Sequence, residues 1–379
     1  MKRMQKENVF AIDLLWLRVG KVGGSESFIR NLMDGMRESS QNFHAVLLVS
    51  QDNRDSFQHY GSDKRFELEC CPVRSANLKQ RMYWQNFHMG RFLRKRKISK
   101  CLEPVYSTPF LGTAHIKFYT VIHDLQAHHF PEYFSKARYL WMHLSWKNTL
   151  RKAWRVIAIS EYDREDILSV FRVDPDKLVR IYNPVVVRQE KPQNSEALVR
   201  ACGAEPGRYF FCVTSLLAHK NVETLIRIMK QRSDSYQLLI CGVGGPMEEQ
   251  LEENIRKECL EKRIILLPFV SDETRDALYR NCRIFLFPSV FEGFGMPPVE
   301  ALLAGKTVIT TRCTSIPEVT RGEAEYVDNP YDESEWNQRI DEELAHLEFG
   351  PPSRHTFSPG HNPYPLKETA EQYLSLLGE

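Results

Sequence analysis

The sequence predicts an α/β chain built on parallel sheets and folded as two domains. Three observations lead there. Short apolar segments of strand type alternate with amphipathic helical patterns through both halves. The 379 residues exceed what one ordinary core accommodates. A polar, proline-containing link at 183–192 interrupts the alternation near the middle. The composition, 42% hydrophobic and 26% charged, is that of a soluble globular chain. No apolar run approaches the roughly 18 residues of a membrane span. The opening residues lead into a short segment, Val9 to Leu17, interrupted by Asp13, so neither a signal peptide nor an anchor is expected.

In the first half the candidate strands are Val9 to Leu15, Ala45 to Val49, Tyr119 to Ile122 and Arg155 to Ile159, with helices over Glu26 to Met36, Arg81 to Arg96 and Tyr139 to Leu150. In the second half the strands are Tyr209 to Val213, Gln237 to Cys241, Arg263 to Leu267, Arg283 to Phe287 and Thr307 to Thr310. A helix from Asn221 to Met229 puts Val222, Leu225, Ile226 and Met229 on one face, with Asn221 as N-cap. Residues 349–363 are too rich in Gly and Pro for helix or central strand and read as a crossover loop. The final segment, Leu366 to Leu377, is helical with Ala370, Tyr373, Leu374 and Leu377 on one side, a face that needs a surface to dock on.

The net charge of +2 conceals an asymmetry: residues 1–190 carry 31 Lys and Arg against 20 Asp and Glu, leaving the remainder acidic. Much of the excess lies in residues 79–100, where Arg91, Arg94, Lys95 and Arg96 are interleaved with Met89, Phe92 and Leu93. Such a segment is either a solvated helix with a core stripe or a surface for an anionic membrane. Nucleic acid is not expected as a partner, because no recognised module accompanies the charge. Nine cysteines without a Cys-x-x-Cys pair read as reduced thiols in a cytoplasmic setting.

The most informative stretch is Ser289-Val-Phe-Glu-Gly-Phe-Gly-Met-Pro-Pro-Val-Glu-Ala301, which follows a predicted strand and enters a helix. Gly293 and Gly295 permit a tight turn around Phe294, and Pro297 suits a first helical turn, so amides near Gly295 and Met296 form an anion-attracting helix start. Glu292 precedes the turn and Glu300 lies about one helical turn inside. That separation lets one carboxylate reach a sugar hydroxyl while the other holds a ribose.

This segment resembles the E-x7-E motif of the retaining glycosyltransferases of family 4, a group with the GT-B architecture. Similarity runs from Gly23 to Leu377. The resemblance implies two Rossmann-like domains facing across a cleft, residues 1–187 for the acceptor and 188–365 for the nucleotide-sugar donor, with the C-terminal helix, 366–379, crossing back to the first. Thr214-Ser-Leu-Leu-Ala-His-Lys-Asn221 is similar to the family's diphosphate loop: Lys220 matches its Lys, while its Arg is absent, with His219 and Ser215 at the two places where branches of the family carry it. Gly23-Gly-Ser-Glu26 is similar to the N-terminal Gly-Gly-x-Glu loop, which assigns Gly23 to the acceptor side and Gly24 to both substrates. His123 and Asp124, at the end of a predicted strand, match the family's His-Asp pair. The strand end around Val270 is expected beside the base.

The function so implied is a hexosyltransferase moving a sugar from GDP-mannose or a UDP-sugar to a glycan or lipid-linked acceptor in envelope polysaccharide or lipopolysaccharide synthesis. His123, Lys220 and Glu292 are the catalytic candidates. Glu292 to Met296, Glu300, Ser215, His219, Lys220 and Val270 are assigned to the donor. No cofactor or tightly bound metal is expected, and the enzyme is placed in the cytoplasm, held at the inner membrane face if residues 79–100 bind lipid. Alternatives are a sugar-nucleotide epimerase of the same architecture and a catalytically silent partner subunit. Asp174-Pro-Asp176 has a metal-binding D-x-D form but reads as a turn, His128 and His129 lack a third ligand, and Gly242-Val-Gly-Gly245 lacks the full dinucleotide fingerprint.

Overall fold

A computed structural model of the chain describes residues 8–106, 108–186, 193–244, 247–349, 356–358 and 360–379, with the side chain of residue 349 excepted. The opening residues 1–7, most of the predicted link (187–192), Gly245 and much of the predicted crossover (350–355 and 359) lie outside the described residues. The chain divides into two compact units, 1–184 with 364–379 and 185–363.

The first unit is a seven-stranded parallel sheet of β1 (Asn8–Asp13), β2 (Phe43–Val49), β3 (Phe66–Cys70), β4 (Lys100–Glu103), β5 (Lys117–Ile122), β6 (Arg155–Ala158) and β7 (Leu178–Arg180), ordered β3-β2-β1-β4-β5-β6-β7. The second is a six-stranded parallel sheet of β8 (Tyr209–Val213), β9 (Gln237–Cys241), β10 (Ile264–Leu267), β11 (Ile284–Phe287), β12 (Val308–Thr311) and β13 (Glu325–Val327), ordered β10-β9-β8-β11-β12-β13. The order reverses between β1 and β4 in one sheet and between β8 and β11 in the other. Loops leaving the carboxyl ends of such neighbouring strands diverge to opposite faces and open a crevice, the usual ligand position in this kind of sheet. Both units are thus doubly wound, Rossmann-like folds.

Of the four strands outside the segments expected above, β7 continues from the turn at Asp174–Asp176, and three escape the sequence pattern. β3 alternates Phe66 and Leu68 with Glu67 and Glu69, and both glutamates face the Arg96 guanidinium at the sheet edge. β4 places only Cys101 and Leu102 between charged residues, and Glu103 is nonetheless fully buried. β13 is three residues long. The predicted helix Arg81 to Arg96 is a helical run broken by a π-helical turn at Gln85–Met89, between Leu78–Trp84 and Gly90–Lys95. The extra residue rotates Gln85 inward, where its amide donates to the buried Asp13 carboxylate. It also sets Gly90 so close to the Gly112 carbonyl that a Cβ would overlap it.

The C-terminal helix, Leu366–Gly378, buries Ala370, Tyr373, Leu374 and Leu377 as its pattern requires, each larger side chain contributing roughly 1.5–3 kcal/mol relative to exposure. It lies against the first helix, Gly24–Glu38, and its last carbonyls are met by Asn8 (3.1 Å to Leu374 O) and Lys100 (2.5 Å to Leu377 O). Gly35 is the close-approach point, because a Cβ there would overlap the Leu366 carbonyl. In an isolated helix Gly→Ala stabilises by about 1 kcal/mol, whereas overpacking a tight contact costs about 1–3 kcal/mol. Gly35→Ala is therefore expected to lower stability in urea unfolding; a gain of about 1 kcal/mol would show that the two helices are not in tight contact.

Candidate functional site

In the second unit the site grows from two loops at the switch point. The loop after β8 turns through a 3-10 stretch, Ala218–Lys220, and Asn221 follows with φ +52°. Asn221 stands at the start of the helix Val222–Gln231 but caps it in an unexpected way. Its side-chain amide donates to the carbonyls of Pro288 (3.3 Å) and Pro330 (2.9 Å), and its side-chain oxygen accepts from the Thr224 hydroxyl rather than from a backbone amide. The His219 carbonyl accepts from the Val290 amide at 2.8 Å and from the Ser289 hydroxyl at 3.3 Å. These bonds stitch the β8 loop to the β11 loop. Across that seam Lys220 Nζ lies 2.6 Å from Glu292 Oε1, with the two side chains only 17% and 11% exposed.

Glu292 is braced from a third loop. The Thr314 hydroxyl takes the Glu292 amide at 3.0 Å and returns to its carbonyl at 2.9 Å, and Ser315 donates to the same carbonyl at 2.9 Å. Thr314 does this in the left-handed region, φ +51°, unusual for a β-branched residue and a strain that its hydrogen bonds offset. Gly295, φ +82°, then opens the helix Met296–Leu303, whose first turn contains Pro297. Phe291 and Phe294 are buried on either side of Gly293, leaving the glycine turn anchored at both flanks.

One turn further, Glu300 is 8% exposed and its Oε2 accepts from the Tyr279 hydroxyl at 2.8 Å. Burial opposes charge on Arg275, yet the nearby Glu300 carboxylate, then Tyr279 and Asp272, hold its guanidinium above its ordinary value. Val270 is half-buried, with its amide directed at the Cys241 thiol at the end of β9, next to an exposed Phe269. Gly242 begins the following turn at φ +92°, and a Cβ there would sit 2.6 Å from the Thr214 carbonyl, so only glycine lets the β9 turn close on the β8 loop.

Of the residues proposed for the diphosphate, Ser215 is exposed and His219 is buried. Burial, and then the Lys220 charge, push the His219 imidazole down to about 3. It is neutral at physiological pH and does not supply the positive charge of the absent arginine; Lys220 carries that charge in this loop.

In the first unit, Gly23 at φ +58° precedes the helix Gly24–Glu38, and Glu26 reaches back to the Gly20 amide at 2.8 Å, closing the loop that both glycines shape. His123 follows β5, and its Nε2 lies 2.7 Å from the Pro104 carbonyl, which can only accept. Burial brings the imidazole down to about 4. The neutral ring therefore carries its proton on Nε2 and leaves Nδ1 as an acceptor for a hydroxyl. The ring meets Phe28 edge-on at 5.2 Å, and Phe28 in turn meets Tyr373 of the C-terminal helix at 6.1 Å. Asp124 takes the Gln126 amide at 3.0 Å.

The decoy motifs are explained by local bonds. Asp174 caps a 3-10 turn, Pro175–Lys177, by accepting from the Asp176 amide, and the turn feeds β7. His129 is 2.8 Å from Asp166. The residues beside the two glutamates that sequence reasoning missed are Tyr279, Arg275, Thr314 and Ser315, brought there from other helices and loops with no local sequence signal.

Comparison with known proteins bears on the family and the fold. Sequence models of two families match in succession, Glycosyltransferase Family 4 over residues 22–189 and Glycosyl transferases group 1 over residues 196–356. The O-antigen chain mannosyltransferase RfbU of Salmonella typhimurium is 29% identical over 219 residues, 58% of each chain. The O-antigen chain mannosyltransferase B of Escherichia coli is 27% identical over 224 residues, covering 56% of this chain and 57% of that one. The alignments thus span somewhat over half the length of these curated relatives. Among solved structures, Anabaena HepE in complex with UDP and glucose superposes with a TM-score of 0.75 over 97% of this chain and 99% of that one at 16% identity. WaaG, a glycosyltransferase involved in lipopolysaccharide biosynthesis, gives 0.67 over 97% and 95% at 14% identity. These likenesses speak for the fold, and the sequence matches for the lineage: the chain belongs to the GT4-type glycosyltransferases.

Proposed function

We propose that this chain transfers a hexosyl group from a nucleoside diphosphate sugar to a hydroxyl of a glycan or lipid-linked acceptor, with retention of anomeric configuration, in the synthesis of lipopolysaccharide or a related envelope polysaccharide. The observation that carries the reading is the desolvated Lys220–Glu292 pair beside a helix start and one turn from a second buried glutamate. The names of the two O-antigen relatives make GDP-mannose the first donor to test and UDP-sugars the second. The donor's diphosphate would meet Lys220 and the amides at Gly295 and Met296, its sugar Glu292, and its ribose Glu300. As the glycosidic bond breaks, negative charge builds on the departing phosphate, and a fixed cation stabilises that charge more than the ground state. Glu292, held by Lys220, is a poor nucleophile. That favours attack on the face from which the phosphate leaves, with a phosphate oxygen taking the acceptor's proton. His123, through Nδ1, is assigned to the reacting hydroxyl.

Residues 79–100 supply the membrane part of the proposal. Tyr83 and Phe87 are 60% and 56% exposed, Lys79, Arg91, Arg94 and Lys95 are exposed on the same helical run, and Lys97 is exposed in the turn that follows it. Aromatic side chains beside cations are suited to the headgroup region of an anionic bilayer. No helix among the described residues is long and apolar enough to cross a membrane, so contact of this kind would be peripheral.

Lys220→Ala is expected to lower kcat by about 100- to 1,000-fold, while Glu300→Gln mainly weakens donor binding by calorimetry. Unchanged donor affinity in Glu300→Gln would remove the ribose assignment. In liposome flotation the chain should rise with vesicles containing anionic lipid and not with neutral ones, and the joint replacement of Arg94, Lys95 and Lys97 by Gln should abolish this. Equal flotation of both forms would refute the membrane surface.

A further inference from the structure

We propose that Tyr279 is a positioning residue for nucleotide recognition: its hydroxyl occupies Glu300 Oε2, so that Oε1 alone is presented to a ribose hydroxyl, and the enzyme's preference for ribonucleotides depends on that division. The inference rests on the reading of Glu300 as the ribose ligand.

Tyr279 sits near the end of the helix Asp272–Asn281, a helix fixed at its start by Ser271, which accepts from the Thr274 amide at 3.1 Å. Its ring is locked between the two strands that flank the switch point. It meets Phe211 of β8 edge-on at 5.1 Å and Phe285 of β11 at 5.2 Å, and those two rings meet each other at 5.9 Å. The side chain is 2% exposed, so the hydroxyl has one direction open to it, toward Glu300 Oε2 at 2.8 Å. Burial, and then the Glu300 charge, hold the phenol well above its ordinary range. It remains protonated and must be the donor.

That hydrogen bond is the only one made by the Glu300 carboxylate among the described residues, and Oε1 is not sealed from solvent. A carboxylate with one oxygen tied to a rigid phenol cannot rotate freely, so its second oxygen accepts along a defined direction. Arg275, 3.1 Å from Asp272 and electrostatically coupled to Glu300, balances the charge of a carboxylate that would otherwise be costly to bury. The guanidinium and the phenol together hold the carboxylate in one orientation, the condition for a strong hydroxyl contact.

The test compares affinities of the full chain for UDP and GDP with those for their 2′-deoxy and 3′-deoxy counterparts, in the wild type, Tyr279→Phe, Glu300→Gln and the double variant. Phe keeps the ring and its packing, and thermal unfolding of each variant checks the fold. The wild type should favour the ribonucleotide by about 10-fold or more, the usual worth of a hydrogen bond to a charged group. Tyr279→Phe should shrink that ratio to within about 3-fold, and the double variant should bind no more weakly than Glu300→Gln alone, as expected for two groups acting through one contact. A wild-type preference that Tyr279→Phe leaves intact overturns the positioning role while sparing the ribose reading. Absence of any preference in the wild type, with Glu300→Gln binding normally, overturns both.

Discussion

An ammonium and a carboxylate held 2.6 Å apart and mostly out of water organise the second unit. Burying either charge alone would cost several kcal/mol, and their attraction offsets that cost only when the geometry is fixed. Here three loops fix it. Asn221 and the His219 carbonyl tie the loop after β8 to the one after β11, while Thr314 and Ser315 clamp the Glu292 backbone from the loop after β12. A pair so held has a second property: each partner is left unsatisfied by loss of the other. Under the proposed donor assignment, a diphosphate would draw Lys220 away most readily when a sugar hydroxyl is available to Glu292.

The sheet topology explains why such a pair can exist. β8 and β11 are neighbours, but their following loops belong to connections that diverge, so their carboxyl ends leave space in which polar side chains can meet. The cost appears as backbone strain in the same place: Asn221 and Thr314 adopt left-handed angles within these loops, and at Gly295 glycine adopts one without penalty. In the first unit the corresponding edge carries the buried Asp13 at the end of β1 and Glu103 at the end of β4. Burial pushes the Asp13 carboxyl up, opposed by the Leu15 amide and Gln85.

Much of this was legible because its signals are local. Tyr209–Val213 is a continuous apolar run and Gln237–Cys241 is one after its first residue, and the bounds of both agree with the sequence reading. Glu292, Gly295 and Glu300 lie in one strand-turn-helix unit, so their spacing alone suggested two carboxylates around an anion-attracting turn. What stayed hidden depends on pairing across the fold. Lys220 and Glu292 are 72 residues apart, and Tyr279 is 21 from Glu300. β4 was obscured because a buried glutamate interrupts its apolar run, and the π-helical turn because the partner of its Gln85 is Asp13, 72 residues away in the sequence. His219 shows the reverse case, a side chain whose position in sequence suggested a phosphate contact while its burial makes it neutral.

The central claim is that Glu292 serves the sugar and Lys220 the diphosphate, with the two ions paired until the donor arrives. The most direct measurement is the calorimetric affinity of Glu292→Gln for a nucleoside diphosphate and for the same nucleotide bearing its sugar. Freed from its counter-ion, Lys220 should bind the bare diphosphate at least as tightly as in the wild type, while the gain from the attached sugar disappears. Equal weakening of both ligands would contradict the account.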